Sequence, residues 1–308
     1  MASPRPIIAG QVMDASALHQ GSQQRGGRLR GILRELFSTR LAPTGVVILA
    51  IVLFCAIFAG LISPYAPNEQ DYEALTQRPS WHHLLGTDEI GRDVLSRVLY
   101  GSRVSLEVGI IAVGIALTFG VSLGLIAGYL GGKVATVIMR CLDAIQAFPS
   151  LILALAITAA LGPSIRNAMI AIGVTSMPLI ARLTRGQTLS VREREYVTAA
   201  RVLGASPSRI VLKYILPNVT SPIIVQATLL IASAIVTEAS LSFLGVGVRP
   251  PTPSWGAMLR TGSQFLEPAP WLAFAPGVAI FVTVLAFNFV GDGLRRALDP
   301  RLLRRQQS

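Results

Sequence analysis

Charge is scarce in this chain of 308 residues. Asp, Glu, Lys and Arg make up 14% of it, against about 25% in an ordinary soluble domain, and long uncharged stretches separate the charges that remain. A soluble protein of this length folds from shorter, amphipathic apolar segments, so that class is excluded. Histidine is scarce too. There are three, His19, His82 and His83; the adjacent pair lacks the i, i+4 geometry of a helical metal site and reads as polar surface. With no histidine inside an apolar stretch, a Ser–His hydrolase within the membrane lacks its base, and no catalytic or metal-binding residues are assigned. The two cysteines lie far apart, Cys55 in the middle of the first apolar stretch and Cys141 near one end of the third. That placement suits neither a disulfide nor a thiolate metal site. Cleavable-leader chemistry is missing as well: the first apolar run starts near residue 45 with no cleavage pattern behind it, so it is expected to stay as an anchor.

What is present is apolar length. Between charges lie 18 residues at 45–62, 25 at 108–132, 22 at 144–165, 24 at 214–237 and 24 at 268–291. A hydrocarbon core of about 30 Å needs roughly 20 residues at 1.5 Å each, so these five stretches are expected to cross a membrane. A sixth, 167–181, has 15 uncharged residues and becomes long enough once Arg166 and Arg182 at its ends reach outward. The fold class is therefore all-α, a polytopic membrane protein of about six transmembrane helices.

The net charge of +11 invites a nucleic-acid reading, but the bases follow topology instead. With six spans and both termini inside, the inside segments carry 20 of the 27 Lys and Arg residues and the outside segments seven. This is the asymmetry of the positive-inside rule, and the partner it implies is a lipid bilayer, not nucleic acid. Along the chain, 1–27 reads as a disordered cytoplasmic tail. Within 28–100 come a basic amphipathic helix at 28–40, the first span, and a polar external segment expected to hold one or two short helices. A transmembrane core fills 101–300, and 301–308 is a basic cytoplasmic tail. Gly120 to Gly132 is rich in glycine, which allows close helix contact. The prolines at 250, 251 and 253 mark a rigid external turn, with Trp255 and Trp271 suited to the outer interface.

The inside loop at 184–222 is the most informative part. It reads Thr198-Ala199-Ala200, three residues, Gly204, nine residues, then Tyr214-Ile215-Leu216-Pro217. Residues 192–203 have the composition of a short helix with Tyr196, Ala199, Ala200 and Leu203 near one face; Gly204 is its natural C-terminal cap. A second short helix from about Ser206 leads to Leu216-Pro217, where the next span begins. The pattern resembles the E-A-A-x3-G-x9-I-x-L-P loop of the membrane subunits of bacterial ATP-binding-cassette (ABC) importers, with Thr198 in place of Glu and Tyr214 in place of Ile. Leu85-Gly86-Thr87-Asp88-Glu89-Ile90-Gly91-Arg92-Asp93, Leu241-Ser242-Phe243-Leu244-Gly245, the Pro250 to Gly256 stretch and Gly291-Asp292-Gly293 narrow the resemblance to the "C" permeases of the peptide and nickel permease family, over residues 30–300.

That resemblance implies a type I importer (MetI-like) permease fold and a non-catalytic chain in a bacterial inner membrane. It implies a homologous B-type permease, two ABC ATPase subunits and an extracytoplasmic substrate-binding protein as partners. ATP and Mg would be bound by those ATPases, with no cofactor in this chain. It also implies an ATPase-coupling loop of Tyr196, Thr198, Ala199, Ala200, Arg201, Gly204, Ala205, Leu216 and Pro217, and a cargo of di- or oligopeptides or glutathione-like substrates. The chain's own phosphate-loop echo at Gly131-Gly132-Lys133 lacks the first glycine and the Ser or Thr, consistent with energy coming from a partner. The competing reading is a self-contained secondary transporter or channel, which would need its own coupling residues. Glu238, the carboxylate deepest in an apolar stretch, is the candidate for the substrate path; Glu107 and Asp143 read as interfacial.

Overall fold

The computed structural model describes residues 41–298; the readings placed on 1–27, 28–40 and 301–308 fall outside them. Nine helices carry the described chain: α1 (Leu41–Ile62), α2 (Val94–Leu130), α3 (Gly132–Gln146), α4 (Ser150–Leu161), α5 (Ile165–Arg192), α6 (Glu195–Val202), α7 (Pro207–Phe243), α8 (Trp255–Gln264) and α9 (Trp271–Ala297). Five of them, α1, α2, α5, α7 and α9, are long and apolar enough to span a bilayer, and α3 with α4 forms a bent sixth element.

Two spans differ from their expected form. The run at 144–165 is not one helix, because α3 and α4 meet at 87°. Pro149 has φ −55° and ψ 128° and disfavours helical geometry in the residue before it, so the chain turns at Ala147–Pro149 however apolar its neighbours are. The short run at 167–181 belongs instead to a 28-residue helix that continues through Pro178 to Arg192. Arg182 and Arg185 lie inside α5, which is why counting residues between charges underestimates it.

The closest helix pair is α2 with α5. Gly120, Gly124 and Gly128 recur every fourth residue and form one strip along α2. A methyl group at Gly120 would lie 2.8 Å from the Ile180 Cβ; one at Gly124, 2.5 Å from the Ala181 carbonyl oxygen; and one at Gly128, 2.6 Å from the Thr188 Cβ. Without side chains there, the backbones come close enough for dispersion contacts along the whole seam. Gly173 of α5 answers with its own bare face, where a Cβ would sit 2.8 Å from that of Ile115. The small-residue strip is therefore used within the chain. At the edge of the bundle α1 packs on α9, with Gly45 meeting the Ala286 carbonyl oxygen at 2.8 Å from a built Cβ. Its other face, with Leu53, Phe54, Ile57 and Leu61, is exposed, as a lipid-facing helix requires.

A cap of loops covers the end of the bundle where α2 starts, made of 63–93, the turn 244–254 and α8. No helix forms in the described residues 63–93, because polar side chains fix the backbone there directly. The Asp88 carboxylate accepts from the backbone N–H of Ile90 and Arg92 and pairs with the Arg92 Nε at 2.6 Å. Asp93 caps α2, accepting from the Ser96 N–H at 2.7 Å, and its other oxygen lies 3.0 Å from His83 Nδ1. His83 is thus buried, stacked near Tyr65 with ring centroids 4.8 Å apart, and only His82 keeps the expected surface position. Gly91 has φ +81°, and a Cβ on it would fall 1.9 Å from the Asp71 carbonyl oxygen, so the segment folds back on itself only with glycine there. Trp255 is not interfacial: it is 2% exposed, and its Nε1 donates to the Val98 carbonyl at 3.0 Å.

Candidate functional site

At the opposite end of the bundle, α6 crosses beneath α5 and α7. Arg192 ends α5 and donates from Nη1 to the Gly128 carbonyl of α2 at 2.9 Å, so the chain leaves the bundle from a fixed point. Glu195 stands in the first turn of α6, where its charge complements the helix dipole. Val197 packs inward against Ile210, Ile215 and Val219 of α7, and Ala200 is buried as well. Ala200 is 6% exposed, and its small side chain lets α6 lie close to that core.

Gly204 closes the helix. Its φ is +78°; its N–H donates to the Arg201 carbonyl at 3.0 Å, and the Ala205 N–H donates to the Ala200 carbonyl at 3.0 Å. These two bonds are those of a Schellman cap, in which glycine takes the left-handed position without strain. Ser206 then accepts from the Arg209 N–H at 3.4 Å and opens α7, with Pro207 at the first helical position, where a missing N–H costs nothing.

The second short helix is not separate from the following span. α7 runs continuously from Pro207 to Phe243 and contains a π-helical turn at Ile210–Ile215. Pro217 has no N–H for the Lys213 carbonyl, and its ring needs room beside that oxygen; the wider π turn one step earlier provides it. Leu216 is half-buried in the same core, and Pro217 is exposed.

The expected single face of α6 divides in two. Ala200 packs inward with Val197, while Tyr196, Thr198, Ala199 and Arg201 are open to solvent. Sequence reasoning missed the apolar tip, because a helix end before glycine is read as a cap and not as a surface. Val202 is 82% exposed and Leu203 86%, two large apolar side chains standing free at the point of the loop.

Glu238 is enclosed where α7 meets α2. It is 0% exposed, accepts from the Ser242 hydroxyl at 2.7 Å and from the Ser105 hydroxyl of α2 at 3.5 Å. The Val248 N–H donates to the same Ser242 oxygen at 3.1 Å. None of its surface is open to a path in this conformation; it ties α7, α2 and the 244–249 turn together, as buried polar groups need partners. Asp143 does form an exposed pair, with Arg182 Nη2 at 2.6 Å, joining α3 to α5 across the bend.

Comparison with known proteins adds to this geometry. Residues 120–304 match the family described as binding-protein-dependent transport system inner membrane component, and residues 27–79 match the N-terminal TM domain of oligopeptide transport permease C. The chain is 52% identical to the dipeptide transport system permease protein DppC of Escherichia coli strain K12 over 85% of its own length and 89% of that protein's. It is 46% identical to the glutathione transport system permease protein GsiD of E. coli strain 536, covering 87% and 89%. A solved inward-facing structure of the MetNI methionine ABC transporter shares the fold, with a TM-score of 0.55 at 18% identity over 67% of this chain and 97% of that one.

Proposed function

The chain belongs to the family of binding-protein-dependent transport system inner membrane components, and from that premise we propose how it works as a permease subunit of an ABC importer. It forms one half of a transmembrane path for short peptides, with a homologous B-type permease as the other half. Two ATPase subunits supply the energy and hold ATP and Mg, and an external binding protein delivers the cargo. The relatives' names point to dipeptides and glutathione, and cargo of that size and polarity is the reading adopted here.

One observation supports this function over a self-contained transporter: the tip of α6. An apolar pair this exposed, Val202 and Leu203, on a helix anchored by Val197 and Ala200, is what a docking knob needs. Tyr196, Thr198, Ala199 and Arg201 frame it, and Gly204 and Ala205 turn the chain back. In the proposed complex this surface inserts into a groove on an ATPase subunit. In liposomes, the chain together with its partner permease and ATPases should take up labelled dipeptide only with ATP and the binding protein. Uptake by the chain alone, driven by an ion gradient, would select the secondary-transporter reading.

Orientation follows from the distribution of Lys and Arg, with the α6 end and both termini placed in the cytoplasm. In a variant lacking Cys55 and Cys141, single cysteines at the exposed positions Glu73 and Thr252 should react with an impermeant thiol reagent added to intact spheroplasts. A cysteine at exposed Ser208 should react only after the membrane is opened. Labelling of Ser208→Cys in sealed cells would invert the assignment.

A further inference from the structure

We propose that the open side of α7, with the adjoining face of α5, lines the cargo path and that its uncharged amide and hydroxyl groups hydrogen-bond the peptide backbone as it passes. This deepens the importer reading above and rests on it. Asn218, Gln226, Ser233, Thr237 and Ser240 recur at spacings of eight, seven, four and three residues, which places them on one side of the helix. Asn218 and Ser233 are exposed and the other three half-buried, while Glu238 lies on the packed side. From Asn218 to Ser240 the stripe runs about 33 Å at 1.5 Å per residue, the thickness of a hydrocarbon core of about 30 Å. The helices that face lipid look different. α1 shows Leu53, Phe54, Ile57 and Leu61, and α9 shows Phe274, Val278 and Phe281, 67%, 54% and 65% exposed. Acyl chains suit those side chains; they offer amides and hydroxyls no hydrogen-bond partner.

The inner half of the stripe opens into a groove of about 830 Å³ that also takes in Gln187 and Ser190 of α5 and Ser221 of α7. Some of these polar groups are occupied by their own helix. Asn218 donates to the Tyr214 carbonyl at 2.7 Å, and the Thr237 and Ser240 hydroxyls donate to the Ser233 and Val236 carbonyls at 2.9 and 2.8 Å. Gln187, Ser190, Ser221, Gln226 and Ser233 make no side-chain hydrogen bond among the described residues. Their free donors and acceptors call for an occupant that hydrogen-bonds. A short peptide carried in water answers both, since each peptide unit brings a donor and an acceptor. Helix contacts inside this chain run instead on glycine and apolar side chains, as along the α2–α5 seam. The charged residues of the groove are Arg194 and Arg295, one just before α6 and one in the last turn of α9. The remaining lining is neutral, so it does not select among peptides by side-chain charge.

The test uses the complex of both permeases and both ATPases in liposomes, with Cys55 and Cys141 replaced and single cysteines introduced. Gln226→Cys and Ser233→Cys should react with a charged thiosulfonate supplied on both sides. Val278→Cys and Phe281→Cys should react at least about tenfold more slowly, because the reactive thiolate does not form in hydrocarbon. With binding protein and ATP, Gln226→Glu should change the ratio of uptake rates for a Lys-containing and an Asp-containing dipeptide by about tenfold in favour of the former; binding-protein selectivity is common to both variants and cancels. Gln187→Leu/Gln226→Leu, which keeps the bulk and removes the hydrogen bonds, should lower uptake about tenfold at matched abundance of the assembled complex. Absence of labelling at Gln226→Cys and Ser233→Cys in every nucleotide state, with crosslinking of these cysteines to the second permease, would assign the face to a subunit contact and overturn the proposal. An unchanged dipeptide ratio in Gln226→Glu would do the same. A wild-type complex that takes up no dipeptide would sink the importer reading as well, whereas normal wild-type uptake with either of the preceding results sinks the path assignment alone.

Discussion

Leu203→Glu should leave the permease folded and in the membrane while ATP-driven uptake falls at least about tenfold, the loss typical of removing a central docking residue. Leu203 is 86% exposed, and surface changes of this kind usually alter stability by no more than about 0.5 kcal/mol. Inside a docked groove, by contrast, an unpaired carboxylate must be desolvated. The measurement is uptake and ATPase co-purification at matched membrane abundance. Gly204→Val separates tip from turn: no atom lies within 4 Å of a Cβ at Gly204, so the change costs about 1–2 kcal/mol of left-handed strain and should impair uptake less than Leu203→Glu. Thr198→Glu, at an exposed site, should be tolerated. If Leu203→Glu transports normally and keeps its ATPases, α6 is not the docking element.

Gly124→Val should remove most of the protein from the membrane. The added Cβ alone would sit 2.5 Å from the Ala181 carbonyl oxygen and 2.6 Å from the Thr184 Cβ. The first of these is backbone and cannot swing aside. Overpacking commonly costs about 1–3 kcal/mol, and here α2 and α5 must also separate at Gly120 and Gly128, so the upper end or beyond is expected. Gly114→Val is the control, since nothing lies within 4 Å of its Cβ. Immunoblotted membrane abundance and the aggregation temperature in detergent should fall for Gly124→Val and stay close to wild type for Gly114→Val. Equal behaviour of the two would mean that the α2–α5 seam is not tightly packed.

Apolar length exposed most of the fold in the sequence, because a bilayer demands it of every span. α1, α7 and α9 were legible for that reason. The break between α3 and α4 was not, since a lone proline also occurs inside continuous helices here, as Pro178 and Pro276 do; which prolines interrupt the helix depends on packing. α5 was obscured by arginines that belong to its own helix. At the candidate site, Gly204 was readable because only a left-handed turn calls for glycine at that spacing, and the observed cap has that form. The inward turn of Ala200 and the exposure of Leu203 were not readable, since they depend on how α6 rolls against Ile210 and Ile215. The partners of Glu238 were unreadable for a related reason: Ser105 lies 133 positions away in sequence, and the pairing exists only once α2 and α7 are side by side.

α7 is one rod of 37 residues, about 55 Å long at 1.5 Å per residue. It begins just after the Schellman turn that ends α6 and ends just past the carboxylate tied to Ser105 and Ser242. A rod with both ends fastened transmits displacement without needing a relay of side-chain rearrangements. A tilt of about 10° around its middle would carry each end roughly 5 Å in opposite senses at that length. The π turn at Ile210–Ile215 is where its hydrogen-bond ladder departs from α-helical register, three to eight residues from the start of the rod at Pro207. Bending concentrated there would shorten the stroke and a stiff turn would deliver it whole, so, if α6 docks as proposed, the local register of these six residues would set how much of a push at that end reaches the carboxylate at the other.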